Sequence, residues 1–341
     1  MPQVGIAFIG TGFIADYHLD GLKAVPGAET RVIVGRDAAK AASLAARFGV
    51  PESSIDLAAT LARADIDAVI VATPDDTHEA IAVQATAAGK AIMLQKPMAA
   101  DVAACRRILA LAAGAGIDLQ VSFMHRYLKE FIAARSMVAA GEIGELMSIR
   151  MRNATPGPDW SDWFFKKTRV AGGVVLQLGV HGIDLLTQLC GPIASVSAST
   201  AILRGERRLA DGRLVPVENP DSAWAVYRFA GGVIASHDMS MIEAAGCDRF
   251  RMEIYGTEGT IVLRGDRGLL QFRRGGMADW TTPVLPTRPF GQRHHQRWID
   301  GITGDLPREE TARDALGGML VAEAIARSAA AAGATTDVGA V

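Results

Sequence analysis

Val4-Gly5-Ile6-Ala7-Phe8-Ile9-Gly10-Thr11-Gly12-Phe13-Ile14-Ala15 is the stretch on which the reading of this chain turns. Its first six residues read as a buried strand, and they run without a break into Gly-x-Gly-x-x-Ala. In a chain with 36 glycines that spacing carries little weight by itself, so its position has to carry the argument. Gly10 directly follows the strand and Ala15 opens a helix. The loop backbone can then approach a pyrophosphate while the helix amino terminus offers unpaired N–H groups and positive potential. Gly10, Gly12, Phe13 and Ile14 are the first candidate cofactor-binding residues.

Outward from this loop, β-rich runs recur at 30–34, 68–72, 91–94 and 119–122. Helical patterns at 16–24, 38–48, 77–88 and 102–113 separate them, with Gly49, Gly89 and Gly114 as their stops. Strands alternating with helices predict a parallel, doubly wound sheet. Beyond residue 122 the rhythm changes. Strand patterns at 147–152, 193–203, 222–229, 233–241, 250–255 and 260–264 follow one another through glycine-rich turns such as Ala230-Gly231-Gly232, with helices near 182–189 and 314–332. That succession predicts a large, mostly antiparallel open sheet. A length of 341 residues also exceeds what one core usually serves. The expected class is α/β, a Rossmann domain at 1–121 followed by an α+β domain at 122–341.

Composition excludes several functions. Thirty-five basic and 37 acidic residues leave a net charge of −2, which supplies no basic footprint for nucleic acid. Cys105, Cys190 and Cys247 are far apart and form no C-x-x-C pair, so neither a disulfide framework nor a zinc site is expected, and all three read as buried reduced thiols. The apolar start lacks a basic leader and runs into the glycine loop, so it reads as a strand and not a signal peptide. Charges break the alanine-rich stretches before the ~20 apolar residues of a membrane span. His294-His295 looks metal-like, but neighbours on a helix point ~100° apart and no carboxylate stands at ligand spacing. These readings predict a cytoplasmic enzyme without a metal.

Cofactor choice is set after the second strand. Where an NAD enzyme places an acid for the ribose 2′-hydroxyl, this chain has Gly35-Arg36. Gly35 removes a carboxylate that would repel a 2′-phosphate, and Arg36 with Lys40 can bind one through charge-assisted hydrogen bonds. NADP is therefore expected over NAD. A register shift of two would instead make Asp37 the ribose acid and keep NAD open.

Two further motifs follow, Thr73-Pro74-Asp75-Asp76-Thr77-His78 and Gln95-Lys96-Pro97. Pro97, just past a strand, restricts the peptide beside Lys96 and so aims that side chain. With Gly141-Glu142-Ile143-Gly144, Gly172-Gly173 and His181-Gly182-Ile183-Asp184, the order and spacing resemble the Gfo/Idh/MocA family of oxidoreductases over nearly the whole chain. The resemblance implies a Rossmann domain followed by an open-sheet domain, with substrate between the nicotinamide and that sheet. It implies that Thr73, Pro74, His78, Gln95 and Lys96 border the cofactor. It also implies that Lys96 contacts substrate and nicotinamide ribose, while His181 handles the hydroxyl proton. Sugars and polyols are the substrates it implies.

The chain departs from the family pattern at two positions. Gln95 replaces the glutamate before the lysine, and Gln177 replaces the aspartate four residues before the histidine. An amide at 177 can orient an imidazole but cannot stabilise its protonated form, whereas Asp184, one helical turn beyond His181, can offer that charge. Gln177, Asp184, Arg126 and Trp163 are the candidate substrate contacts. Alternatives are a cofactor-binding regulator with little turnover, motivated by Gln177, and a cofactor-recycling hydrolase or oxidoisomerase on the same fold. A sheet with one open face also predicts a homodimer or homotetramer formed through it.

Overall fold

The structure is a computed structural model that describes residues 3–167, 172–245, 248–265, 269–289 and 291–341. Cys247 lies outside them; Cys105 is buried and Cys190 half-buried. The chain forms two compact units, Met1–Tyr127 with Thr287–Leu316, and Leu128–Pro286 with Gly317–Val341. A single cut after residue 121 does not describe this division, because the chain returns to the first unit late.

In the first unit, β1 (Val4–Ile9), α1 (Ala15–Lys23), β2 (Ala28–Val34), α2 (Ala38–Phe48), β3 (Glu52–Ser54), α3 (Leu57–Leu61), β4 (Ala68–Val71), α4 (His78–Ala87), β5 (Ala91–Leu94), α5 (Val102–Ala115) and β6 (Leu119–Val121) follow in order. The sheet runs β3-β2-β1-β4-β5-β6, and all its neighbours are parallel. Every residue of β1 and β4 is buried, as strands covered on both faces must be. The strand order reverses between β1 and β4, where doubly wound sheets open a crevice at their carboxyl ends. Asp37, Asp56 and Asp101 cap α2, α3 and α5 by accepting from backbone N–H groups. Gly49 stops α2 in the left-handed conformation as expected. Gly114 does not stop α5. It lies inside the helix, and Gly116 at φ 68° ends it.

The second unit begins with α6 (Lys129–Ala139), β7 (Leu146–Ala154), α7 (Val180–Cys190), β8 (Ile193–Ala201) and a small hairpin, β9 (Glu206–Arg208) with β10 (Leu214–Pro216). It continues with β11 (Ser222–Phe229), β12 (Ile234–Ser240), β13 (Phe250–Gly256), β14 (Gly259–Arg264) and β15 (Leu269–Arg274). After α8 (Gln292–Thr303), which belongs to the first unit, come α9 (Thr311–Ala330) and β16 (Thr336–Asp337). The sheet runs β15-β14-β13-β7-β12-β11-β8-β16, antiparallel throughout except where β7 meets β12. Period two decides its faces: Ala223, Ala225, Tyr227 and Phe229 are buried, while Trp224, Val226 and Arg228 are exposed.

Helix α7 lies close against this sheet because position 182 is glycine. A Cβ on Gly182 would meet Asn153 Oδ1 at 2.4 Å and His237 Cε1 at 2.6 Å. Those groups already hold each other. His237 Nε2 is 2.9 Å from Asn153 Oδ1, and Tyr227 Oη is 3.1 Å from His237 Nδ1. Burial lowers the imidazole pKa to about 3, so the ring is neutral; it donates to the asparagine oxygen and accepts from the phenol. Gly182→Ala should therefore overpack this contact and cost about 1–3 kcal/mol. Urea unfolding checks it, with a lowered midpoint at unchanged slope as the expected result.

Candidate functional site

The glycine loop is laid on the end of β4. Gly10 has φ +127°, and a Cβ there would come 2.4 Å from the Ala72 carbonyl oxygen, so the position admits glycine alone. Its N–H donates to Val34 O at 2.9 Å, and Ala72 N–H donates to Ile9 O at 2.7 Å, which locks three strand ends together. Gly12 is different. A Cβ there would meet nothing within 4 Å, leaving open space over the loop. Ile14, the residue before α1, makes no side-chain cap, so the helix brings its first-turn N–H groups to that space uncapped by a side chain. This is a cradle for a pyrophosphate. The residues present fit a dinucleotide.

Phe13 stands 62% exposed in the same loop. Gly35 allows close approach at the end of β2, since a Cβ would meet Thr11 Cγ2 at 2.8 Å. Arg36 and Lys40 are exposed beyond it. Asp37 accepts from the Lys40 backbone N–H at 3.1 Å, so one of its oxygens serves as the cap of α2.

Past β4 the Thr77 hydroxyl lies 2.7 Å from both Thr73 Oγ1 and Pro74 O, which folds the Thr73-Pro74 turn tightly. His78 has no surface to offer a cofactor, being 1% exposed. Its ring nitrogens lie 3.0 Å from Thr73 O and 3.2 Å from Met98 O, and burial lowers its pKa. The neutral ring can donate to only one of these carbonyls; it packs between the threonine-proline turn and the segment after Lys96, which corrects its expected role as a direct contact. Sequence reasoning passed over its neighbour Asp75. That carboxyl is 4% exposed, and no side chain among the described residues bonds it. Burial pushes it up to about 6, helped by Asp76 and opposed first by the backbone N–H groups of Asp75 and Asp76 and then by the charge of Lys96.

Lys96 is half-buried and precedes a cis peptide to Pro97. Its backbone N–H donates to Gln95 Oε1 at 3.0 Å, and Gln95 Nε2 lies 2.7 Å from His18 Nε2. His18 Nδ1 lies in turn 2.8 Å from His295 Nε2. These imidazoles, and that of His294 beside them, are 2% exposed or less. Burial first, and then their mutual proximity, lowers His18 and His294 well below the usual range, while burial takes His295 to about 4. Among the described residues, no three His, Cys, Asp or Glu side chains are placed to hold a metal.

Arg126 is 7% exposed and bonds Asp314 Oδ2 at 2.8 Å with its guanidinium over the Phe123 ring. That pairing ties the guanidinium of Arg126, expected above to contact substrate, to Asp314 within its own unit. In the second unit, Gln177 sits in a π-helical turn, Val175–Gly179, that leads directly into α7. Such turns recur at functional sites because the wider winding re-aims side chains. His181 and Asp184 follow on α7, each 5% exposed. Trp163 lies in a short 3-10 turn, edge-on to Phe164 at 4.8 Å, and its indole N–H meets no acceptor among the described residues.

Comparison with known proteins agrees with this geometry. Residues 4–123 match the profile of an oxidoreductase family with an NAD-binding Rossmann fold, and residues 131–262 match the GFO/IDH/MocA C-terminal domain. Inositol 2-dehydrogenase of Rhizobium meliloti is 28% identical over 340 residues, covering 96% of this chain and 97% of the relative. Levoglucosan dehydrogenase in complex with NADH and L-sorbose superposes with TM-score 0.92 at 25% identity, over 99% of both chains. GenD2 from gentamicin A biosynthesis, in complex with NAD, gives 0.83 at 29% identity over 100% of this chain and 97% of that one. Among the described residues no helix is long and apolar enough to cross a membrane.

The buried imidazoles set an acid limit on stability. His18, His78, His237, His294 and His295 are all held neutral below the ordinary value of 6.5. On unfolding below pH 6.5 they take up protons that the folded chain refuses, so stability falls as pH falls. Each contributes up to about 1.4 kcal/mol per pH unit. Asp75 works in the opposite sense between 3.8 and about 6, as one group against five. Thermal midpoints should hold steady from pH 8 to 7 and drop steeply from pH 6 to 5; a flat profile across that lower window would contradict the neutral assignment.

Proposed function

The chain belongs to the Gfo/Idh/MocA family of NAD-binding oxidoreductases, and from that premise we propose that it transfers a hydride between a nicotinamide cofactor and a secondary alcohol or carbonyl of a sugar, polyol or related compound. The observation that carries this reading is the placement of Lys96. It stands just past β5, at the carboxyl edge of the parallel sheet that also carries the Gly12 cradle. The relatives named inositol 2-dehydrogenase and levoglucosan dehydrogenase support that substrate class.

The nicotinamide ring, when bound, supplies the hydride acceptor or donor. For oxidation, His181 takes the hydroxyl proton, and Lys96 steadies the developing alkoxide by its charge. Gln177 orients the imidazole by hydrogen bonding and adds no charge to stabilise its protonated form. Asp184, three residues further along α7, supplies that charge. Trp163 offers its indole N–H to a substrate hydroxyl. Lys96→Met should lower kcat by about 10²-fold or more, the usual cost of a missing oxyanion partner, while leaving cofactor affinity close to that of the unaltered protein. Unchanged kcat would remove Lys96 from the mechanism.

NADP is proposed over NAD because Gly35 presents no carboxylate and Arg36 and Lys40 stand exposed beyond it. The NAD(H) complexes of the two solved relatives favour the other reading. Comparing KM for the two cofactors separates them. Arg36→Ala should raise KM for NADPH about tenfold or more with little effect on NADH, the worth of one charge-assisted hydrogen bond. A lower KM for NADH in the unaltered enzyme would reverse the assignment.

A second reading, a regulatory homologue that holds cofactor without turning it over, is favoured by the amide at 177. Tight NADPH binding with no change in absorbance at 340 nm over a broad polyol and sugar panel would select it. The open face of the eight-stranded sheet exposes Trp224, Val226 and Ile234 on adjacent strands β11 and β12, and a homodimer or homotetramer through that face is proposed. Sedimentation at micromolar concentration should show it, and a monomer would exclude it.

A further inference from the structure

Gln95, His18 and His295 form a chain of hydrogen bonds whose two ends are backbone groups with fixed roles. At one end the Lys96 N–H can only donate, and it faces Gln95 Oε1 at 3.0 Å. At the other the Gly291 carbonyl can only accept, and it faces His295 Nδ1 at 2.8 Å. Everything between is then determined. His295 must carry its proton on Nδ1, which leaves Nε2 as an acceptor in the neutral ring. His18 Nδ1, 2.8 Å from that acceptor, must carry a proton, which leaves His18 Nε2 as an acceptor too. Gln95 Nε2, 2.7 Å away, must donate to it. One proton arrangement satisfies all four contacts.

We propose that Gln95 is the positioning residue of the lysine–proline turn, and that it is an amide because it forms the donor end of a one-way relay from Gln95 through His18 and His295 to the Gly291 carbonyl. A carboxylate at 95 would accept from Lys96 N–H equally well and then oppose a lone pair on His18 Nε2. It could be accommodated only by taking up an extra proton or by giving up one contact along the relay, that between His18 and His295 or, with both tautomers reversed, that between His295 and the Gly291 carbonyl. The glutamine that departs from the family pattern is thus matched by a histidine 200 residues later in the chain. Gly21 belongs to the same device: a Cβ there would lie 2.5 Å from His295 Nδ1, so only glycine leaves room for the ring between α1 and α8. The other titratable or charged groups around the relay are Tyr17 on α1, His294 on α8, Tyr127 stacked on His294 and bonded to Glu309, Arg126 acting on His294, and Lys96, whose own N–H begins the chain. This inference stands on hydrogen-bond geometry and holds whichever substrate or cofactor the enzyme uses.

Ring nitrogen-15 spectra of the full-length protein with labelled histidine test it directly. His18 and His295, assigned by their loss in single variants, should both be neutral Nδ1–H tautomers at pH 7. A proton on His18 Nε2, or an imidazolium signal from either ring, would overturn the proposal. Gln95→Glu supplies the second arm. It should take up a proton in the folded state, so its thermal midpoint should fall as pH rises from 6 to 8, whereas that of the unaltered protein does not. His295→Gln should be mild alone, because an amide can accept from His18 Nδ1–H. In the Gln95→Glu background it should restore part of the midpoint lost at pH 8, because the same amide can instead donate to His18 Nδ1. Strictly additive losses in the double variant would show that the two residues merely pack, and would sink the relay.

Discussion

The amino-terminal loop can lie on the end of β4 only because position 10 has no side chain, and a methyl group there would be driven into the Ala72 carbonyl. That one close approach joins the carboxyl ends of β2, β1 and β4, and the other features of the site that belong to this unit are placed relative to it. It leaves Gly12 facing open space at the start of α1, where helix N–H groups and the helix dipole favour an anion. It brings the Thr73-Pro74 turn beside the loop, and His78 ties that turn to the segment following Lys96. A parallel sheet with its order reversed between β1 and β4 offers one natural crevice, and these residues line its rim.

Beneath the lysine–proline turn the chain has chosen neutrality. Three imidazoles, an amide and two phenols are packed there, and burial keeps the rings neutral by disfavouring the charged form of each, the imidazolium of the histidines and the phenolate of the tyrosines. A neutral bed leaves the charge of Lys96 unmatched by the residue before it. In the other unit the same physics appears again under His181, where Gly182 seats α7 against a neutral His237 held by Asn153 and Tyr227. Both candidate catalytic side chains are therefore carried on rigid, hydrogen-bonded supports within their own units.

Much of this was legible in the sequence because the signals are local. A strand followed by Gly10-Thr11-Gly12, and period-two runs such as 222–229, report on neighbours a few residues away. What could not be read depends on contacts between distant segments. His18 and His295 are 277 residues apart, and neither has a pattern around it that announces the other. The return of Thr287–Leu316 to the first unit is of the same kind. The edge strands β15 and β16 were missed because an edge position relaxes the demand for alternating apolar residues. His78 resembled a ligand contact in its motif and is a buried brace in three dimensions, a distinction that only burial reveals. Asp75 was overlooked because an acid after proline ordinarily belongs to a solvated turn, and here it is enclosed beside Lys96.

The most direct test of the account is cofactor binding to Gly12→Val, followed by quenching of protein fluorescence with NADPH and NADH. A side chain at position 12 would fill the open space above the loop and would clash with nothing in the protein itself. The account predicts an unchanged thermal midpoint without cofactor and loss of saturable binding of both dinucleotides. Binding as tight as in the unaltered protein would contradict it, since the pyrophosphate would then have to be held somewhere other than over the glycine loop.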